Sequence, residues 1–381
     1  MKENNIPSFN LTRNYLRVKE EICAALDRVL ESQSFILGSE VENFEKEMES
    51  YLEVPHAIGC ASGTDALILA MMALGLRPGD EVITTPFTFF ATAGSIIRAG
   101  GTPVFADVEP DSYNLSMDAV LERITPRTRA VLPVHLFGQS CRLELIKNEL
   151  DRRGIALIED CAQAIGAHRL VGGEIWRAGA TGDINAFSFF PTKNLGCYGD
   201  GGMVTVTRDG ELAARVRRLR VHGAGSTYFH DEVGINSRLD AIQAAILRVR
   251  LRHLEEWTEE RRMVAERYLL LLGEKGLLDV ITPPAEQPGS HHVYHQYVVR
   301  VRERRDELMT YLAEHGITTR VYYPLPLHEQ KCFAGLGLRK GALPVSEMLA
   351  GQVLALPIFP ELLPEEQVRV VEGIAGFYGR Q

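Results

Sequence analysis

Positive charge is short in this chain: Lys and Arg number 41 against 50 Asp and Glu, for a net charge of -9 at pH 7. Nonspecific binding to nucleic acid or to an anionic membrane rewards the opposite sign, so neither partner is expected. Any anionic ligand must be met locally. Long apolar runs are also missing, since the longest uncharged one, Ala66 to Leu76, falls well short of the ~20 residues that cross a bilayer. No membrane span is expected. The six cysteines (Cys23, Cys60, Cys141, Cys161, Cys197, Cys332) form no Cys-x-x-Cys pair, and no histidine spacing suggests zinc. Reduced thiols and no metal centre are the simple expectation. Met1 to Asn14 lacks the basic start and apolar core of a secretory signal, which points to a cytoplasmic protein. Repeats and low-complexity segments are absent too.

What is present suits a folded enzyme of 381 residues, too long for one core. Two domains are expected: residues 1–249 as an N-terminal arm and large domain, and residues 250–381 as a small C-terminal one. Val18 to Tyr51 carries apolar residues at helical spacing, interrupted by Gly38, and reads as two helices. Short β-rich runs then alternate with helical stretches: Ala57–Cys60, Glu81–Thr85, Pro103–Ala106, Ala130–Val134, Ile155–Glu159, Ile184–Phe189 and Met203–Val206. Such alternation predicts an α/β fold with a mostly parallel central sheet. A helical pattern from about Ser237 to Glu274 would link the domains. Beyond it, Val293–Val301 and Thr318–Tyr323 read as strands, with a helix at Arg305–His315 between them.

Ligands of open parallel sheets gather where strands end and helices begin, because helix N-termini offer free N–H groups. Several polar residues fall there. Ser62-Gly63-Thr64-Asp65 could cradle a phosphate, although an ordinary helix cap is at least as good an account. Among Phe87, Phe89 and Phe90, one ring could stack on a planar heteroaromatic; core packing is preferred for Phe87 and Phe90. The buried-type strand that ends in Glu159-Asp160 places carboxylates where only a positive partner, such as a protonated pyridine nitrogen, would make them favourable. A helix-capping Asp is the equal alternative. Gln163 could reach the phenolic oxygen of such a ring. Lys193, in a turn with apolar company, could be desolvated enough to form an imine, with Ser188 adding a hydroxyl for a phosphate.

The stretches SGTDAL (62–67), TPFTFFAT (85–92), IEDCAQAIGA (158–167), SFFPTKNLGCYGDGG (188–202) and GINSRLDAIQAAIL (234–247) resemble, in order, the signature set of the DegT-type sugar-nucleotide aminotransferases. The likeness extends to Phe35-Ile36-Leu37-Gly38 and to Tyr322-Tyr323-Pro324, so it spans nearly the whole chain. It implies a fold-type I enzyme using pyridoxal 5'-phosphate, normally a homodimer whose active sites draw on both chains. Carried over by position, Lys193 is the Schiff-base lysine and Asp160 the partner of the pyridine nitrogen. Phe89 is the stacking aromatic, Gln163 lies near the phenolic oxygen, and Gly63, Thr64 and Ser188 contact phosphate. Asn236 matches a phosphate contact from the neighbouring subunit, while Arg238 and Tyr322 fall where family members touch substrate.

The expected reaction is transfer of an amino group, with glutamate as donor, to a UDP- or dTDP-linked keto sugar, Lys193 serving as imine partner and as general acid/base. Phe190 and the GCYGDGG stretch resemble enzymes that aminate a 3-keto sugar; those acting at a 4-keto carbon more often carry His there. Tyr322 departs from the 3-keto uronate enzymes, which have His at that place. A dehydratase of the same fold would replace Lys193 by His, and a non-catalytic regulator would be expected to lose Lys193 or Asp160. A nicotinamide enzyme is disfavoured because Gly223-Ala224-Gly225 is followed by Tyr228 where a third glycine belongs. Arg215, Arg217, Arg218 and Arg220 read as a solvated helix face, and His291, His292 and His295 lack the partners of a metal site.

Overall fold

Seven short strands make the central sheet of the computed structural model, which describes residues 5–207 and 209–380. From one edge they lie in the order His56–Cys60, Gly202–Val206, Ile184–Ser188, Ala156–Asp160, Thr128–Leu132, Glu81–Thr84 and Thr102–Phe105. Gly202–Val206 runs antiparallel to both neighbours, and the remaining pairs are parallel. The α/β expectation therefore holds, with each strand within about two residues of its sequence reading.

Burial is nearly continuous along these strands because helices cover both faces. On one face Gly63–Ala73 and Gly210–Leu219 enclose Ile58, Ile184 and Val204; on the other, Ser39–Leu52 and Ala241–Leu251 pack on Phe187 and Met203. Helix Gly63–Ala73 is apolar almost all round, as a helix buried between sheet and neighbours must be.

A second, three-stranded antiparallel sheet joins Ile281–Thr282, Tyr297–Val301 and Val353–Leu356. Its core gathers Tyr268, Leu312, Val370 and Ile374, and also Ile6 from the start of the chain. Ile6 is held there by backbone bonds to Gly316 and Thr318.

Several local expectations are corrected. The helical pattern of 237–274 is two helices, Ala241–Leu251 and Leu254–Glu274, broken at Arg252-His253. The break lets the apolar stripe change partner: Leu247 packs on the central sheet, whereas Val264 and Tyr268 belong to the second core. The strand read from Val293 starts only at Tyr297, because Val293 and Gln296 donate their N–H groups to Gly138 and Phe137. Thr318–Tyr323 is no strand; only Arg320 bridges Ala355, and its two tyrosines line a cavity. Phe87 is core, but Phe90 is 49% exposed, resting on Phe333 at 5.6 Å between ring centroids. Arg220 is likewise not a solvated residue: it is buried and donates to Glu45 and to the Gly59 carbonyl.

Candidate active site

The ends of strands Ala156–Asp160 and Ile184–Ser188 and the start of helix Gly63–Ala73 open on one cavity of about 620 Å³. Gly63, Thr64, Phe89, Asp160, Gln163, Ser188, Lys193 and Tyr322 all line it. Asn236 and Arg238 do not; Asn236 is exposed, and the strand-like turn around it pairs with Val221.

Successive strand residues face opposite ways, so Glu159 and Asp160 point to different places. Asp160 reaches the cavity. Its Oδ2 accepts from the Thr92 hydroxyl at 2.8 Å and its Oδ1 from the Ala162 N–H at 3.1 Å. Since Thr92 donates to Asp160, Thr88, 3.0 Å away, must donate to Thr92. Burial pushes the Asp160 carboxyl up, and the two donors and the charge of Lys193 pull against it.

Lys193 sits in a turn pinned at several points. Its N–H donates to the Phe190 carbonyl at 2.8 Å, and Asn194 ties the loop to the Val293 carbonyl at 3.0 Å and to His295 at 3.1 Å. Burial lowers the ammonium to about 8, and Asp160 raises it against that trend. A good fraction of neutral amine is therefore present near pH 8. His295 is driven well below its ordinary range by burial, Lys193 and Arg261. Because the Asn194 amide nitrogen is committed to Val293, its oxygen must accept from His295 Nδ1, which leaves Nε2 unprotonated.

At the other end of the cavity Ser62 caps the helix by accepting from the Asp65 N–H, and the N–H groups of Gly63 and Thr64 come before the first intrahelical bond. Gly63 lies so close to Ser188 that an added Cβ would meet its Cβ at 2.5 Å, so glycine is required for this approach. Gln163 is fixed between the Phe137 N–H and the Tyr323 hydroxyl.

Thr92, His295 and Tyr323 were not selected from sequence. A threonine inside a helix, a histidine beside a strand and the second of two tyrosines are ordinary residues until the fold brings them together. The available signals were Thr92 at the end of TPFTFFAT and Tyr323 beside Tyr322, both in motifs already quoted.

The profile of the DegT/DnrJ/EryC1/StrS aminotransferase family matches residues 17–375. The chain belongs to that family. It is 50% identical over 374 residues to a pleiotropic regulatory protein of Geobacillus stearothermophilus, covering 98% of this chain and 99% of that one. It is 45% identical over 366 residues to the UDP-N-acetyl-3-dehydro-alpha-D-glucosamine 3-aminotransferase of Acidithiobacillus ferrooxidans, covering 96% of each. The crystal structure of DesV from Streptomyces venezuelae in complex with a ketimine intermediate superposes with a TM-score of 0.93, at 42% identity and 99% coverage of both chains.

Family members use pyridoxal phosphate, and the residues of this cavity fit that group. The free N–H groups at the helix start, with Ser188 beside them, suit a phosphate. The Asp160 carboxylate, buried and short of positive charge, suits a protonated ring nitrogen. Val134, Ala162 and Phe89 supply apolar walls for a flat ring, and Lys193 supplies the amine.

Proposed function

We propose that this protein transfers the amino group of an amino acid, glutamate, to the 3-keto carbon of a UDP- or dTDP-linked sugar. The carrying observation is Lys193: an amine brought to about 8 by burial, in one cavity with the buried carboxylate of Asp160. Bound pyridoxal phosphate supplies a carbonyl that accepts nitrogen and a ring that draws electrons toward its protonated nitrogen. Asp160 keeps the proton on that nitrogen. Lys193 would supply the amine that holds the cofactor and, when free, would act as the base that takes the donor's α-proton and as the acid that delivers a proton to C3 of the sugar. Gly63, Thr64 and Ser188 hold the phosphate, Phe89 covers the ring, and Gln163 orients its phenolic oxygen. Tyr322 lies at the substrate side.

The 3-position is supported by the Acidithiobacillus relative, whose name places its amination there, and by Phe190, which lines the cavity. The regulatory name of the Geobacillus relative gives no ground against chemistry here, because Lys193 and Asp160 are both kept. The proposal includes a homodimer in which Asn236 and Arg238 serve the neighbouring copy's cavity, as suits an exposed Asn236 that does not line its own. The hairpin just before them carries Tyr228 at 91% exposed and Phe229 at 72%, surface that a second chain would cover. We place the domain divide near residue 250, with the arm around Ile6 docked on the C-terminal core.

The protein is loaded with pyridoxal phosphate, its absorbance recorded, and nucleotide-linked 3-amino and 4-amino sugars offered in the reverse half-reaction. Conversion to the pyridoxamine form by a 3-amino sugar is expected. Conversion by none of them, or repeated turnover by Lys193→Ala with glutamate and keto sugar, overturns the proposal.

A further inference from the structure

A second cavity, of about 440 Å³, opens beside the C-terminal core between helix Leu254–Glu274 and the segments 283–286 and 294–297. It shares no lining residue with the main cavity. Its volume suits a small organic molecule. Met263, Leu269, Pro283 and Pro284 give it apolar walls. Tyr294 forms part of another wall, held flat against His292 with ring centroids 3.9 Å apart, so that side is in place before any ligand arrives.

Two features of this cavity are left unanswered by the chain itself. The first is charge: Glu259, Glu266 and Glu286 line it against a single guanidinium, Arg262. Arg262 is already engaged, its Nη1 donating to Glu286 and to the His292 carbonyl at 2.9 Å each and its Nε standing 3.8 Å from Glu259. His291, 3.9 Å from Glu259, is pushed below its ordinary range by burial and by the charge of Arg262, so it adds no cation at neutral pH. Glu266 has no hydrogen bond or ion pair among the described residues. The second is Tyr297, 2% exposed, whose hydroxyl lacks any partner. Burial, with Tyr294 beside it, raises this phenol far above its usual range, so it keeps its proton.

These features select a ligand. The excess of carboxylates favours a cation and repels phosphates, which sets the nucleotide-linked sugar and the cofactor aside. A buried phenol with a hydrogen to give and lone pairs to fill is answered on both counts by a hydroxyl group. Prolines and a tyrosine ring suit the C–H faces of a compact ring or chain. We propose that this cavity is a second binding site, for a phosphate-free amino sugar or amino alcohol whose ammonium group meets Glu266 and whose hydroxyl meets Tyr297.

Glucosamine is the probe, and N-acetylglucosamine keeps its skeleton while removing its charge. Calorimetry on dialysed holoenzyme is expected to show glucosamine binding with a Kd of about a millimolar or tighter, and N-acetylglucosamine at least about tenfold weaker. Cofactor absorbance, recorded in parallel, registers separately any reaction of the amine in the main cavity. Glu266→Gln should weaken glucosamine binding about tenfold and Tyr297→Phe several-fold. Tyr297→Phe should leave the thermal midpoint unchanged or slightly higher, since its hydroxyl has no internal partner to lose. No binding at about 10 mM, equal affinity for the N-acetylated sugar, or wild-type affinity in either variant overturns the site. The measurement needs no turnover, so it stands whichever sugar the main cavity takes.

Discussion

Glu159 and Asp160 are neighbours on one strand, equally cut off from bulk solvent, and the two faces of that strand treat them in opposite ways. Burial alone would raise Glu159, but His135 at 2.6 Å and the N–H groups of Gly179, Thr181 and Gly182 surround it and hold it below the ordinary carboxylate range. The box is closed. Asp160 receives only Thr92 and Ala162, stays raised, and faces a cavity. A carboxylate with every lone pair answered organises the fold; one left partly unanswered beside an open space is ready to meet a ligand's charge.

The largest effect expected from breaking this contrast is on stability. Glu159→Ala strands His135 and three N–H groups, and should cost about 3–5 kcal/mol, read as a lower urea midpoint. Asp160→Asn keeps the acceptor for Ala162 but presents a donor to Thr92, so it should cost no more than about 1 kcal/mol of stability while lowering kcat about 10- to 100-fold, because the charge facing the ring nitrogen is lost. A third measurement follows covalent cofactor uptake against pH. The neutral Lys193 amine is the reactive form, so the rate should fall about tenfold per pH unit below 8 and level off above it. Asp160 raises Lys193, so Asp160→Asn should move that midpoint down, whereas Glu159→Gln should not. The smallest effect is Thr92→Val, which removes one donor to Asp160: about 1 kcal/mol of stability, with kcat reduced a few-fold. Equal kinetic losses in Glu159 and Asp160 variants would dissolve the contrast.

Much of this was legible in the sequence. The seven strands were readable because a sheet buried on both faces needs short apolar runs between helical periods. Thr64, Asp160, Ser188 and Lys193 were readable because each stands at a strand end or helix start, where parallel sheets put ligands. Thr318–Tyr323 was misread because alternation serves a cavity wall as well as it serves a sheet face, and only distant partners decide between them.

By itself, then, the sequence determined the α/β alternation, the family and the lysine with its aspartate, all of which are local patterns or ordered motifs. Tertiary structure alone decided how differently two adjacent acids are surrounded, Glu159 in a closed box of donors and Asp160 against a cavity. It also decided that Thr92 holds Asp160 and that His295 stands near Lys193. The reason is physical: charge state and recognition depend on what surrounds a group within a few ångströms, and those neighbours come from segments far apart along the chain.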